Sequence, residues 1–220
     1  MNDLLVNSGR YLYFLNGELT KVEESWQCEP KADGRLCVRS TRKVPGLTIS
    51  VVAWIDAGVV TAFELGWDAG DATVIEASYA LQADSVEYSR SLGGTVTHPN
   101  SVISGEHVSP VLYPLMRVFT GSVIRQLATD GGSCAVLVPS VSQPDNPKSL
   151  LLPDITKRRV VDLGDCDLQQ IDGATIQCSL WQFIGGQYGA DARFWLDESN
   201  HLQRYCWRQD ETRQWDVRLA

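Results

Sequence analysis

Three carboxylates stand in strand-like segments rather than in turns, and proton transfer is the chemistry that best suits them. Glu24 alternates with Val22 and Trp26, whereas Glu64 and Glu76 fall in two later segments of alternating residues. If these positions face the inside of a curved sheet, burial raises the pKa of a carboxyl group and makes it a proton donor or acceptor. The alternative is that they mark the solvent-facing side of a sheet whose other side is apolar.

Histidine is scarce, and only His107 among the three histidines has a carboxylate, Glu106, beside it. Such a His–carboxylate pair is a competent general base when it lies in a pocket. The alternative is that both residues lie in a surface loop. The candidate catalytic residues of an enzyme are therefore Glu24, Glu64, Glu76 and His107.

The sequence lacks the common signatures of cofactor and metal sites. It contains no P-loop and no GxGxxG, GxSxG or HExxH pattern. The six cysteines include no CxxC pair, and none stands with a histidine at the spacing of zinc ligands. We expect no cofactor, no metal ion and six reduced thiols packed as small apolar side chains. A disulfide between Cys28 and Cys37, which flank one turn, is the alternative.

The balance of charge argues against two classes of partner. The chain has 19 Lys and Arg against 27 Asp and Glu, a net charge of −8. Because nucleic acids and anionic membranes both require clustered basic residues, neither is expected as the main partner. No apolar run approaches a membrane span, and the N-terminal segment lacks a signal pattern, so we expect a cytoplasmic protein. The oligomeric state stays open.

The elements that must position the candidate residues are mostly strands. Period-two alternation over about residues 10–90 predicts a first antiparallel meander, in which Asn16-Gly17 is a strong hairpin signal. Apolar residues at helical spacing predict one amphipathic helix over about 112–129, and alternation resumes over about 134–220 as a second meander. The stripe of this helix consists of Leu112, Leu115, Met116, Phe119, Val123 and Leu127.

This pattern predicts a mainly β protein of the α+β class. We expect a strongly curved antiparallel sheet or half-barrel of about 11–12 strands, wrapped around one central helix. Because the last block of strands has no helix of its own, a single domain over residues 1–220 is the more economical arrangement. A boundary near residues 94–105, or in the proline-rich loop 139–153, is the alternative.

Large aromatic side chains are concentrated on the predicted strands. They either fill the interior of the sheet or line a cavity for a hydrophobic ligand. All seven tryptophans fall there, namely Trp26, Trp54, Trp67, Trp181, Trp195, Trp207 and Trp215. The candidate ligand-binding residues are Phe63, Trp67, Tyr79 and Trp181 on the sheet and Leu115, Met116 and Phe119 on the helix.

The order of elements resembles the LolA/LolB-like half-barrel folds and is similar to that of the bacterial putative glycolipid-binding family. The resemblance is carried by the Asn16-Gly17 hairpin, the Leu112–Leu127 stripe and the closing hairpins with Phe194-Trp195, Trp207 and Trp215. It implies a curved sheet around a helical plug, with lipid held in a hydrophobic hollow. No family motif is matched, so no functional residue is carried over. The same half-barrel is similar to that of a cofactor-free enzyme that rearranges an indole intermediate in violacein biosynthesis.

These observations lead to an expected function and two alternatives. We expect a cytoplasmic binding protein for a hydrophobic small molecule, such as a lipid or glycolipid. The first alternative is a cofactor-independent isomerase, cyclase or hydratase that acts on an apolar metabolite through a pocket carboxylate or histidine. The second is a filled β-domain that recruits a protein partner through an exposed sheet edge.

Overall fold

A computed structural model of the protein describes residues 8–70, 74–104 and 110–220. In these residues, fifteen strands form one sheet, and one α-helix, α1 (Thr120–Thr129), follows a short 3-10 turn (Arg117–Phe119). The strands are β1 (Ser8–Leu15), β2 (Glu18–Pro30), β3 (Leu36–Val44), β4 (Leu47–Asp56), β5 (Val59–Asp68), β6 (Val74–Leu81), β7 (Ser85–Leu92), β8 (Thr95–Ser104), β9 (Val111–Leu112), β10 (Ser133–Pro139), β11 (Pro153–Gln169), β12 (Thr175–Ile184), β13 (Arg193–Leu196), β14 (Leu202–Arg208) and β15 (Gln214–Leu219).

The sheet consists of two meanders joined through the first and last strands. β1 pairs with β2 on one side and with β15 on the other, so the strand order runs from β8 back to β1 and then from β15 back to β9. The sheet is curved and not closed. Bulges interrupt the register of the β1–β2, β4–β5, β7–β8, β11–β12 and β13–β14 pairs, and bulges increase local twist and bending.

The prediction of a mainly β protein with a curved antiparallel sheet and one helix is confirmed. The described residues contain fifteen strands rather than 11–12. The strands missed include β8 and β9, the two edges of the sheet. β8 contains Pro99, which an edge strand tolerates but which weakens the alternation, and β9 has only two residues.

The predicted start of the helix was wrong. Leu112 lies in β9, Leu115 has a left-handed φ of 63°, and the α-helix begins only at Thr120. Because Tyr113 precedes Pro114, the helical conformation is disfavoured at Tyr113. The segment before the helix is extended, but it is buried in the same core as the helix. This burial explains why apolar residues already occur from residue 112 onward.

The helix lies in the chain between the two strands that form the one parallel pair of the described sheet. It connects β9 to β10, and these two strands pair in parallel because a crossover helix returns the chain to the starting end. α1 lies against β5, β9, β10 and β11, and its buried side chains Val123, Ile124 and Leu127 face the core. With ten residues, α1 is too short to cross a bilayer, and the described residues hold no other candidate.

The proline-rich loop between β10 and β11 fills part of the hollow of the sheet. Leu150 and Leu151 are buried in the core. The hydroxyl of Tyr79 on β6 donates a hydrogen bond to the carbonyl of Leu151, and the guanidinium of Arg90 on β7 donates to the carbonyls of Leu150 and Pro147. This loop therefore covers the concave face of β6 and β7.

All six cysteines are free. Cys28 pairs with Val38 and Cys37 pairs with Glu29 across the β2–β3 hairpin. Because residues directly opposite each other share a face, this one-residue offset places the two thiols on opposite faces of the sheet. Elsewhere, Cys166 and Cys178 lie directly opposite each other on β11 and β12.

Buried thiols should react slowly with alkylating reagents. Burial raises the pKa of Cys134, Cys178 and Cys206 to about 11 in each case, so these thiols stay protonated at pH 8. Because only the thiolate reacts, we expect alkylation of the folded protein by iodoacetamide to be roughly a hundredfold slower than in urea. Peptide mass spectrometry measures the rate at each site, and equal rates in both conditions would contradict the placement of these residues.

Replacement of Gly121 should destabilise the protein although alanine favours helices. A Cβ atom at Gly121 would lie 1.8 Å from the carbonyl oxygen of Asn200, so the helix would have to move away from the turn before β14. We expect Gly121→Ala to lower the free energy of unfolding by at least about 2 kcal/mol. Ser122→Ala, on the same helix, should change it by less than about 0.5 kcal/mol. Urea denaturation tests both, and a stabilised Gly121→Ala would contradict the contact.

Candidate functional site

A buried carboxylate on the concave face of β2 is the centre of a polar network. Glu24 is fully buried and accepts four hydrogen bonds. The hydroxyl of Tyr13 on β1 donates at 2.7 Å, and Arg42 on β3 donates through Nε at 2.8 Å and Nη2 at 2.6 Å. The backbone N–H of Arg117 donates to the other carboxylate oxygen at 2.5 Å. Burial raises the pKa of Tyr13, so its hydroxyl keeps the proton it donates.

The same groups hold the segment before the helix in place. Nη2 of Arg42 also donates to the carbonyl of Leu115 at 2.8 Å. Leu115 has a φ of 63°, a conformation that costs a non-glycine residue about 1–3 kcal/mol and persists only where its surroundings fix it. Arg42 and Glu24 together fix the carbonyl of Leu115 and the N–H of Arg117.

The side chain of Arg117 enters a cluster of tyrosines. Its Nη1 donates to the hydroxyls of Tyr188 at 2.5 Å and Tyr113 at 3.3 Å, and its guanidinium lies 4.7 Å from the centre of the Tyr205 ring. The side chain is buried, and its Nε has no hydrogen-bond partner among the described residues. A buried donor without a partner is uncommon in native proteins.

Arg158 on β11 is a second buried arginine of this region. Its guanidinium lies 5.8 Å from the ring centre of Tyr113 and 5.5 Å from that of Phe183. Its one hydrogen bond to a described residue is a 3.3 Å contact from Nε to Oγ1 of Thr156. Burial lowers the pKa of Arg158, because the surroundings do not fully compensate the charge.

These arginines border an open cleft of about 510 Å³, which we call the arginine cleft. Its lining includes Arg42, Arg117, Arg158, Tyr113, Tyr188 and the exposed Asp154, together with residues 138–142 at and after the end of β10 and residues 186–187. In the part of the chain that the structure describes, the guanidinium groups of Arg117 and Arg158 form no ion pair. The cleft therefore collects donors and positive charge.

A second cleft, of about 590 Å³, opens between α1 and the ends of β2–β5, and we call it the apolar cleft. Trp26, Val38 and Ile55 contribute its sheet side, and Val118 and Ser122 contribute its helix side. Arg125 and His201 also line it, and the His201 ring stacks on the Trp26 ring with the centres 6.2 Å apart. Apolar walls with a few polar groups are typical of small-molecule sites.

The structure brings Glu64 and Glu76 together on neighbouring strands but keeps Glu24 apart from them. Glu24 is buried in the network described above, whereas Glu64 and Glu76 are exposed on the convex face, where they line a shallow groove of about 380 Å³. His107 and Glu106 lie outside the described residues. The described residues contain no group of His, Cys, Asp and Glu that could hold a metal ion.

The candidate ligand-binding residues mostly lie in the core. None of the seven lines the apolar cleft, and the partly buried Leu115 lines the arginine cleft. Phe63 and Tyr79 stack with ring centres 4.6 Å apart, and the loop with Leu151 covers Tyr79. Their role in ligand binding stays a prediction. The fully or almost fully buried members are Phe63, Trp67, Tyr79, Met116, Phe119 and Trp181.

The sequence analysis missed the arginines, although a signal was present. Arg158 alternates with the buried Val160 on β11, and Arg90 alternates with the buried Tyr88 on β7. An arginine at an inward position of an amphipathic strand indicates a buried guanidinium. Its N–H donors need hydrogen-bond acceptors, either in the core or in a ligand. The alternation of residues along a strand does not by itself distinguish an acceptor in the core from an acceptor in a ligand.

We compared the chain with models of known families, with curated proteins and with solved structures, and none of the three comparisons found a match. The fold is compatible with a half-barrel, but no relative supplies an activity or a ligand. A function must therefore be inferred from the chemistry of the two clefts.

Removal of the Glu24 charge should be strongly destabilising. Glu24→Gln would leave Arg42 buried without its anionic partner and would turn one acceptor oxygen into a donor group. We expect the free energy of unfolding to fall by about 3–5 kcal/mol. The matched control, Glu64→Gln on the convex face, should change it by less than about 0.5 kcal/mol. Chemical denaturation measures both, and similar values for the two variants would contradict the structural role of Glu24.

Proposed function

We propose that the protein binds a hydrophobic small molecule, such as a lipid or glycolipid, in the apolar cleft. The observation that supports this function best is the cleft itself, an opening of about 590 Å³ beside α1 with several apolar lining residues. This volume lies within the range of drug-sized ligand sites, about 300–1,000 Å³. Burial of an apolar ligand against these walls would contribute roughly 25 cal/mol per Å² of apolar surface removed from water.

The lining of the apolar cleft suits a ligand with one apolar and one polar part. Leu36, Ile55 and Val59 are partly exposed and offer apolar surface, whereas Arg125 is exposed and His201 is partly exposed. Asp197 lies 3.4 Å from Nδ1 of His201 and so orients the imidazole. A glycolipid or another amphipathic molecule would place its apolar part against the apolar residues and its polar part toward Arg125 and His201.

Two further observations support the proposal. The half-barrel-like architecture is compatible with the resemblance to LolA/LolB-like proteins and to the putative glycolipid-binding family. The six free cysteines favour a reducing compartment, and we propose the cytoplasm. The proposed function thus includes both the hydrophobic ligand and the cytoplasmic location.

We favour binding over the cofactor-independent enzyme. Glu24, the one buried carboxylate among the described candidates, already accepts four hydrogen bonds from three residues. A proton-transfer role would require it to release donors that also fix the segment before α1. The enzyme alternative stays a prediction, and no contact in the described residues favours it.

A variant that fills the apolar cleft should lose the ligand. Ser122 lies on α1 and lines the cleft, so Ser122→Phe places a ring in the space that a ligand would occupy. We expect the affinity for the uncharged dye N-phenyl-1-naphthylamine to fall by at least about fivefold, because the apolar contact area is taken up by the new side chain. Native mass spectrometry of the purified proteins should show that lipid co-purifies with the wild type and is depleted in Ser122→Phe.

The matched control is Val96→Phe, which adds the same bulk at an exposed position of the convex groove. It should bind the dye as the wild type does. No dye binding and no co-purifying lipid in the wild type would overturn the proposal, and so would equal binding by Ser122→Phe.

A further inference from the structure

We propose that the arginine cleft is a binding site for an oxyanion, the carboxylate or phosphate group of a small molecule, held between Arg158 and the Arg117–Tyr188 pair. This site is separate from the apolar cleft and shares no lining residue with it. The two sites are joined through the chain, because Leu115 and Arg117 line the arginine cleft and Val118 lines the apolar cleft.

The local charge is opposite in sign to that of the whole protein. The chain carries a net charge of −8, but three guanidinium groups meet at this cleft. Glu24 neutralises Arg42 at 2.6 Å, and the one carboxylate among the described residues that lines the cleft is the exposed Asp154. The charges of Arg117 and Arg158 therefore exceed the negative charge around them, and an anion in the cleft would balance them.

A comparison with Arg90 shows that burial alone does not explain these side chains. Arg90 is 3% exposed and has no ion pair, but its guanidinium donates to the carbonyls of Leu150 and Pro147 and to the hydroxyl of Thr97. It is satisfied by the protein itself. Arg158 is 7% exposed, and its one hydrogen bond to a described residue is the 3.3 Å bond to Thr156. Most of its five N–H donors are thus left for a ligand.

Two further contacts involve the groups that would hold the anion, Tyr188 and Arg158. The hydroxyl of Tyr188 accepts a hydrogen bond from Arg117, so its own proton is free to be donated into the cleft that it lines. Gly186 lines the cleft close to Arg158, and a Cβ atom at this position would lie 2.7 Å from Nη2, so the approach of the guanidinium requires a glycine here. A guanidinium that presents two parallel N–H groups matches the two oxygens of a carboxylate or phosphate.

Inorganic phosphate is the first probe, and acetate is the second. Isothermal titration calorimetry on the full chain, at constant ionic strength set with sodium chloride, should show saturable binding of one anion per chain. Arg158→Gln should weaken this binding by at least about tenfold, because a charge-assisted pair of hydrogen bonds is lost. Arg125→Gln, which removes an arginine from the apolar cleft, is the matched control and should bind the anion as the wild type does.

A second variant keeps the test valid if Arg158→Gln does not fold. Asp154 is exposed and lines the same cleft, so Asp154→Asn should fold and should remove a charge that repels the anion. We expect it to tighten anion binding about threefold. In the absence of anion, Arg158→Gln should have a melting temperature at least as high as that of the wild type, since it removes an uncompensated buried charge.

Vesicles distinguish the two sources of a phosphate group. Binding to phosphatidylcholine vesicles that contain phosphatidic acid, lost in Arg158→Gln, would identify a lipid headgroup, whereas binding of free phosphate alone would identify a soluble ligand. Either result supports the site. It is overturned if the wild type binds none of these anions saturably, or if Arg158→Gln and Asp154→Asn both bind as the wild type does. The uncharged dye reports on the apolar cleft alone, so the two proposals can fail independently.

Discussion

A carboxylate remains charged in a protein interior only where donors surround it, and Glu24 obtains its donors from three separate parts of the chain. Tyr13 comes from β1, Arg42 from β3 and the N–H of Arg117 from the segment before α1. These bonds fix Leu115 in its left-handed conformation and so set where the 3-10 turn and the helix begin. Both clefts are bordered by this segment, and their positions therefore depend on one buried ion pair.

The two sides of this segment differ in chemistry because different elements meet there. On one side, α1 faces Trp26 and Ile55, and the space left between them is mainly apolar. On the other side, Arg117 and Arg158 line a cleft together with tyrosines, and Arg117 donates a hydrogen bond to the hydroxyl of Tyr188. A molecule with an apolar body and an anionic group would find both kinds of surface on this protein.

Much of the sheet could be predicted from the sequence, because a strand with one buried face has a period of two. The two antiparallel meanders were predicted correctly, and all seven tryptophans lie on strands. The candidate site was harder to predict. Glu24 and Glu64 look alike in sequence, but the first faces Arg42 inside the sheet and the second faces solvent. The edge strands and the start of the helix were missed because proline and short length obscure the pattern.

The sequence by itself determined the mainly β class, the two meanders, the single helix and the placement of the tryptophans on strands. Only the tertiary structure decided that β1 joins β15, that the loop with Leu151 fills the hollow beside Tyr79, and that Arg117 and Arg158 share a cleft. The reason is physical. Alternation reports on the burial of each residue against its neighbours in one segment, whereas the partner of a buried charge and the occupant of a hollow come from residues distant in the chain.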